Sequence, residues 1–440
     1  MLLKFSASNY KSFKDKFEFS LVPAPKQKGL DYSIMEEKIG KDSYKGLCSA
    51  IIYGPNASGK TNIIGAMDTF KTIVLRGHIR NVEGKSEPNA ASGLLELIPN
   101  SSSEEPLPVS FSIRFITKGT LIDYAFSADL GIFLEAEHPR RIISETLSVN
   151  ETMIFSRGDT LEFGSLEVIE PYLINAFAQN EEGAIALAKS NLVDEELFLI
   201  NGFKNMFSAK LTALITEWID HRFMVIYRAD AMQVIRKFSD PKKKSVYVEK
   251  TLNEAASYFG INSNGLGYVV EGESNEASLC SLLKRSSKGI VLPAELFESY
   301  GTLRFVNMFP LVVNALLNGG TLVVDEFDAS IHPMALMNMI NIFHNDEINV
   351  HHAQLIFNTH NPIFLNSNLY RRDEIKFVER DDDTLTSSHY SLSDFGTAGK
   401  GGVRKNEDYM KNYFVDRYGA IKDIDFSPIF EELLSRRNEV

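Results

Sequence analysis

The sequence predicts an α/β fold, in which a mostly parallel sheet and an antiparallel β-subdomain carry a helical insertion. Three observations support this. A strand-like run, IIY, feeds directly into GPNASGKT and then into an apolar-periodic segment, NIIGAMDTFKTIVL; strand, glycine-containing loop and helix follow in the order of a phosphate-binding turn. Late in the chain TLVVDEF, QLIFNTH and EIKFVER alternate with helical stretches such as MALMNMINIF, the pattern of a parallel sheet covered by helices. Residues 108–156 alternate apolar and polar at period two, which suits an antiparallel meander.

Taken in chain order, LLKFSA, DKFEFSLV and SAIIYG read as three strands, since β-branched and aromatic residues recur at every second position. VSFSIRF, LIDYAFSADL, RIISETLSV and TMIFSR follow, with turn-like KGT and NET between them. From Gly164 to about residue 260 the period becomes helical, as in AKLTALITEWIDHRFMVIY and VEKTLNEAASYF. Asp240-Pro241 and Lys242, Lys243 and Lys244 interrupt it as an exposed loop, and no sustained heptads mark a coiled-coil arm. The expected division is 1–164 for the first half of the core, 165–288 for a mainly helical insertion, and 289–440 for the second half.

Composition narrows the classes. The chain has 440 residues, 44% of them hydrophobic and 24% charged, and a net charge of −12. Such an acidic balance argues against a general nucleic-acid coat, though not against a local basic groove. Cys48 and Cys280 are far apart and form no CxxC pair, which excludes a disulfide scaffold or a zinc cluster as the organising device. The opening MLLKFSASNYKSF lacks the apolar core of a signal peptide, and no run approaches ~18 uninterrupted apolar residues. A soluble cytoplasmic protein without membrane contact is the expectation.

GPNASGKT runs from Gly54 to Thr61 and satisfies GxxxxGK[ST]. Glycines let backbone N–H groups wrap phosphates, and the following helix N-terminus adds positive potential. Gly54, Asn56, Ser58, Gly59, Lys60, Thr61 and Asn62 are therefore the candidate phosphate-binding residues. Lys60 would reach the β- and γ-phosphates, and the Thr61 hydroxyl would bind Mg²⁺. The bland alternative is a strand–helix turn with an exposed lysine.

TLVVDEF ends a strand in Asp325 and Glu326. Ligands of open α/β sheets bind at the carboxyl ends of strands. There Asp325 would hold Mg²⁺ and Glu326 would polarise an attacking water; alone, the pair would be only a solvated turn. Lys60 and Asp325 are 265 positions apart, so a large insertion must separate them. Between them ESYGT, with Ser299 and Gly301, opens a helix expected over about Thr302 to Leu317, stopped by Gly319-Gly320. Ser299 is either a plain N-cap or a donor site for a γ-phosphate. Pro310 should kink or divide that helix.

GPNASGKT, ESYGTLRF, TLVVDEFDASIHP and QLIFNTHNP occur in this order. Together they resemble the Walker A, signature, Walker B with D-loop, and switch-histidine motifs of ABC-type P-loop ATPases of the SMC, RecF and OLD group. ASNYKSFKD looks like that group's opening. LSDFGTAGKGG and KNYFVDRYGAI, with the chain length, make it look most like abortive-infection ATPases of the RloA/AbiL kind, which are bacterial antiphage proteins. The resemblance spans residues 1–160 and 290–420. It implies an ATP- and Mg²⁺-dependent ATPase acting as a homodimer or higher oligomer. Ser299 and Gly301 would meet the nucleotide of the opposing subunit, Asp328 would be the D-loop aspartate, and His360 would sense the γ-phosphate. From the residues alone His360 is equally a capping or core-edge histidine. His332 before Pro333 reads as structural, and Asn9 and Lys11 either approach the nucleotide or are exposed strand residues. ESYGT departs from the transporter signature LSGGQ. A Q-loop glutamine has one weak candidate, Gln179.

Three functions compete. The first is an ATPase that regulates a separately encoded effector, such as a nuclease or toxin, in phage defence. The second is a DNA-binding clamp for repair or recombination, with Lys242–Lys244 and Arg236, or Lys400, Arg404 and Lys405, as its basic patches. The third is a self-contained OLD-type nuclease, for which only about sixty residues remain after EIKFVER, too few for such a domain. Asp381, Asp382 and Asp383 read as a hairpin tip rather than a metal cluster. In the insertion Phe203, Met206, Phe207 and Trp218 form either a partner surface or, from their helical spacing, a local core.

Overall fold

The helix Lys60–Arg76 lies between two sheets, and the alternation of the strands explains why. In the strand Ser49–Tyr53, Ala50 and Ile52 face this helix while Ile51 and Tyr53 face the opposite layer. Every side chain of that strand is buried, as expected for a parallel strand covered on both faces. The computed structural model describes the chain except residues 26, 28, 81–94, 104, 134, 136–137, 175–180, 228–235, 238–244, 271–275, 286–287, 398–401 and 439–440. Gln179, Asp240, Pro241, Lys242, Lys243, Lys244 and Lys400 lie outside the described residues.

The central sheet has the order Phe223–Ile226, Thr321–Val324, Gln354–Asn358, Ser49–Tyr53, Ile375–Arg380, Ser387–Ser391. All neighbours are parallel except the last pair. One face packs on Lys60–Arg76; the other is covered by the helices Tyr300–Asn318 and Pro333–Phe343. The second sheet is antiparallel with seven strands, from Leu161–Phe163 through the meander to Leu2–Ser8 and Phe17–Ser20. Phe70 of the helix stacks on its Phe126 and meets Phe5 edge-on, so aromatic packing fixes helix against sheet.

Gln354 clamps the two sheets together. Its amide nitrogen donates to the carbonyls of Leu2 and Leu47, both at 2.9 Å, and its oxygen accepts from Leu2 N–H at 2.6 Å and the Thr321 hydroxyl at 2.9 Å. A fully buried amide is tolerated here because its bonds are made.

Residues 165–288 depart from the expected helical insertion. Helical segments run from Glu181–Ser190 to Trp218–Arg222, but Phe223–Ile226 is a strand of the central sheet. Val246–Tyr247, Gly265–Val270 and Glu276–Arg285, with Lys288–Pro293 beyond, form an antiparallel sheet beside the helix Lys250–Phe259. The strand Phe223–Ile226 is only four residues long and follows Asp220, His221 and Arg222, too short a run for its period to separate it from the preceding helix. Phe203, Phe207 and Trp218 are buried, and Met206 packs against the same core; this cluster is interior and not a partner surface. Pro310 stays inside one continuous helix, Tyr300–Asn318, and does not divide it. This helix is long and apolar enough to cross a bilayer by length and composition alone, yet Phe305, Val306, Met308, Val312 and Ala315 lie in the core.

Candidate nucleotide site

The loop after Ser49–Tyr53 takes a shape only part of its sequence permits. Ala57 has φ +62° and Gly59 φ +109°, and such left-handed backbone favours glycine at the second position. At Gly54 a Cβ would lie 2.3 Å from the Val378 carbonyl oxygen and 2.6 Å from Ser58 Oγ; at Gly59 it would meet Ser387 Oγ at 2.6 Å and Ser12 Oγ at 2.7 Å. The loop is braced from outside. Ser387 Oγ donates to the Ser58 carbonyl at 2.6 Å, Ser387 N–H to the Ser12 carbonyl at 2.7 Å, and Asn62 Nδ2 to Ser12 Oγ at 2.7 Å. Asn56 is exposed at the rim, and the buried Ser58 hydroxyl has no hydrogen-bond partner.

Lys60 folds back over the loop, its ammonium donating to the carbonyls of Gly54 and Pro55, both at 2.8 Å. Burial lowers its pKa to about 8, with Glu326 and Asp325 opposing the shift. A cation held partly dry in this way gains strongly from an arriving polyanion.

The register of the central sheet brings the acidic pair to this lysine. Val324 pairs with Phe357, so Asp325 and Asn358 stand side by side just beyond them. Asn358 Nδ2 donates to Asp325 Oδ1 at 2.6 Å, and Thr61 Oγ1 donates to the same oxygen at 3.1 Å. Asn358 Oδ1 also accepts from the Glu326 N–H, and the Arg304 guanidinium donates to the Glu326 carbonyl. Two side chains thus hold Glu326 at φ +50°, a conformation that costs about 1 kcal/mol or more for a residue other than glycine. The Glu326 side chain remains exposed while Asp325 is buried. The exposed carboxylate thus stands beside the phosphate loop on a backbone braced by Asn358 and Arg304.

Asp328 is next in line. Burial raises its pKa, opposed by a hydrogen bond from Thr359. His360 follows at the surface, where partial desolvation and then the Lys60 ammonium lower its pKa, against Asp325. Lys60, Thr61, Asp325, Glu326 and His360 therefore share one mouth.

Ser299 and Gly301 belong to another element, the start of the helix Tyr300–Asn318. Ser299 is an exposed N-cap whose Oγ accepts from Thr302 N–H at 3.1 Å. A Cβ at Gly301 would lie 2.4 Å from the Ser330 carbonyl oxygen, so glycine lets this helix start pack on the turn after Asp328. Glu298 anchors the segment by accepting from Asn262 N–H at 2.7 Å and Ser281 Oγ at 2.9 Å. Burial would raise its pKa, but the bonds from Ser263, Asn262 and Ser281 prevail and lower it. His332 caps the next helix through Nδ1, accepting from Met334 N–H at 3.2 Å.

Asn9 and Lys11 do not turn toward the loop. Asn9 is buried and donates to the Leu107 carbonyl at 2.6 Å; Lys11 pairs with Glu96 and donates to the Tyr227 hydroxyl at 3.1 Å. Ser12 is the residue of that opening motif that reaches the loop. Asn358 and Arg304 escaped sequence reasoning as well; only the Asn at the end of QLIFN, level with Asp325 in the next strand, hinted at the first. Asp381 closes the expected hairpin tip, accepting from Thr384 N–H at 2.7 Å.

The residues fit a magnesium nucleotide. An orphaned buried hydroxyl lies in the loop at Ser58, and Thr61 and Asp325 already share one contact point. Together they can bind phosphates, hold a divalent cation and present a carboxylate to water.

No curated protein matches the sequence. Among solved structures, the SMC head domain from Thermotoga maritima is similar at 15% identity and TM-score 0.35, covering 89% of this chain and 98% of that one. An SMC head bound to the C-winged helix domain of ScpA is similar at 12% identity and TM-score 0.39, covering 90% and 99%. A family model described as "AAA domain, putative AbiEii toxin, Type IV TA system" matches residues 49–366. That span opens on the phosphate-loop strand, closes just past His360 and takes in well over half of the chain, which therefore belongs to this AAA domain family.

Proposed function

We propose that the chain binds and hydrolyses ATP at the Gly54–Thr61 loop. The observation that carries this reading is the exposed Glu326, held at φ +50° by Asn358 and Arg304 while the same Asn358 fixes Asp325 beside Thr61. The loop N–H groups and Lys60 bind the phosphates; Asn56 and Ser58 line the loop around them. Thr61 and Asp325 would hold Mg²⁺, which when bound would neutralise phosphate charge. Glu326 orients a water and accepts its proton, and His360 stands at the γ-phosphate side.

Lys60→Ala should weaken ATP binding, since the loop loses its only inward cation. Glu326→Gln should bind ATP and hydrolyse it ~100-fold more slowly or worse, because an amide accepts no proton from water. Parental turnover by Glu326→Gln would remove Glu326 from the chemistry.

The remainder of the proposal concerns assembly and purpose. Ser299 caps the helix Tyr300–Asn318 at an exposed start, which supports a composite site in which Ser299 and Gly301 meet the nucleotide of a second copy. Asp328 stands between, on the turn against which Gly301 packs. The ATP-driven dimer then regulates a separately encoded effector in antiphage, abortive-infection defence. The toxin–antitoxin wording of the family description supports a two-gene setting of this kind. A DNA clamp is the alternative. Salt-sensitive DNA binding by the ATP-loaded protein would favour it, whereas its absence would favour the effector.

A further inference from the structure

At the end of the central sheet opposite the phosphate loop, Cys48, His344 and Glu374 meet in the interior. Topology places them. Cys48 directly precedes the strand Ser49–Tyr53, and Glu374 directly precedes its parallel neighbour Ile375–Arg380. His344 caps the C-terminus of Pro333–Phe343, a helix that brings the chain back to the N-terminal ends of these strands. One ligand atom from each lies within 4.8 Å of the others, and all three residues are at least nine-tenths buried.

We propose that Cys48, His344 and Glu374 bind a zinc-class divalent cation, with the Ser49 hydroxyl as the fourth group. Ser49 Oγ already lies 2.9 Å from His344 Nε2 and 2.7 Å from Glu374 Oε1, to which it donates, and His344 Nε2 lies 3.2 Å from that same oxygen. Ser49, His344 and Glu374 thus converge, with the Cys48 ligand atom within 4.8 Å of those of His344 and Glu374. Thiolate, imidazole and carboxylate are the ligand types zinc takes, at spacings of about 3.5 Å between ligand atoms. On binding, the Ser49, His344 and Glu374 atoms, now 2.7–3.2 Å apart, would spread to about that spacing, and the Cys48 thiol, within 4.8 Å of the other two ligand atoms, would close by no more than about 1.3 Å. Charge also balances: a dication with one thiolate and one carboxylate is formally neutral, the condition under which ions are tolerated in a dry interior.

Two further features border the cluster. His344 Nδ1 and the Tyr370 hydroxyl are buried without hydrogen-bond partners, and the Tyr370 ring stands edge-on to the imidazole at 5.8 Å. Glu374 is also held from behind, its Oε2 accepting from Arg371 N–H at 2.8 Å, as second-shell bonds orient ligands in metal sites. On binding, the Cys48 thiol releases its proton to solvent and the imidazole carries its own on Nδ1, leaving the Nε2 lone pair for the cation. Ligands this distant in sequence form no spacing motif, so the absence of CxxC did not reveal or exclude them.

Burial of all three means the cation enters during folding, so the full chain is refolded with Co²⁺ as the probe. One equivalent should bind with thiolate-to-cobalt charge-transfer absorption, and Zn²⁺ should displace it. Cys280→Ser should keep the absorption, Cys48→Ser should lose it, and His344→Ala should weaken binding by about 100-fold or more. Parent protein refolded with Zn²⁺ and washed with chelator should retain one zinc per chain and melt at a higher temperature than the metal-free form, a readout that needs no variant to fold. Refolded parent without thiolate absorption overturns the proposal, including the case in which cobalt binds only at Thr61 and Asp325. Absorption that survives in Cys48→Ser overturns it too.

Discussion

Lys60 carries the clearest pH signature. Its pKa near 8 in the free protein comes from burial, and bound phosphates must raise it again, because an opposite charge favours the ammonium. Binding therefore takes up a proton above pH 8 and none well below. ATP affinity should be flat from pH 6 to 7.5 and then fall by up to about tenfold per pH unit above 8. Calorimetric titration across this range checks it, and an affinity independent of pH up to 10 would contradict the buried, charge-poor lysine. Asn358 is the other residue to change. Asn358→Ala frees both Asp325 and the Glu326 backbone, so hydrolysis should drop about 10- to 100-fold while nucleotide binding falls less. The loop, Asp325 and Glu326 were legible because their chemistry is contiguous in sequence. Asn358, Arg304 and Ser12 were not, since they reach the site only through strand register and turn packing.

Gln354 shows what an element interior can hide. It sits in QLIFN, whose other members are apolar or end the strand, and it joins the central sheet to the first strand of the antiparallel one. Gln354→Leu leaves four bonds unmade in a dry setting and should destabilise the protein by roughly 3–5 kcal/mol, read as a lower denaturation midpoint. Gly301→Ala tests the contact between the start of the helix Tyr300–Asn318 and the Asp328 turn. Its Cβ would overlap the Ser330 carbonyl, and such crowding against backbone costs about 1–3 kcal/mol. Turnover should fall with it. Strand–loop–helix at the phosphate loop and the period-two meander were readable because each has one unbroken period. The sheet formed from residues 246–293 was not. GLGYVV and KGIVLP are short and glycine-punctuated, so no sustained alternation marks them as strands.

The molecule as a whole places its phosphate loop and its exposed Ser299 helix start on separate elements, an arrangement suited to two copies facing each other. If defence is the setting, the chain protects cells only beside its effector, and Lys60→Ala abolishes protection without loss of folded protein; protection by the chain alone would argue for a self-contained toxin. The composite site itself is tested most directly by mixing two inactive proteins. Lys60→Ala lacks a working loop and Ser299→Arg a working signature, so each alone should hydrolyse ATP at background rates. A two-fold dimer containing one of each rebuilds one intact site, and random pairing should restore up to about a quarter of parental turnover. Recovery that depends on protein concentration is the predicted result. No recovery from two folded, dimerising variants, or full activity of Ser299→Arg alone, would contradict it.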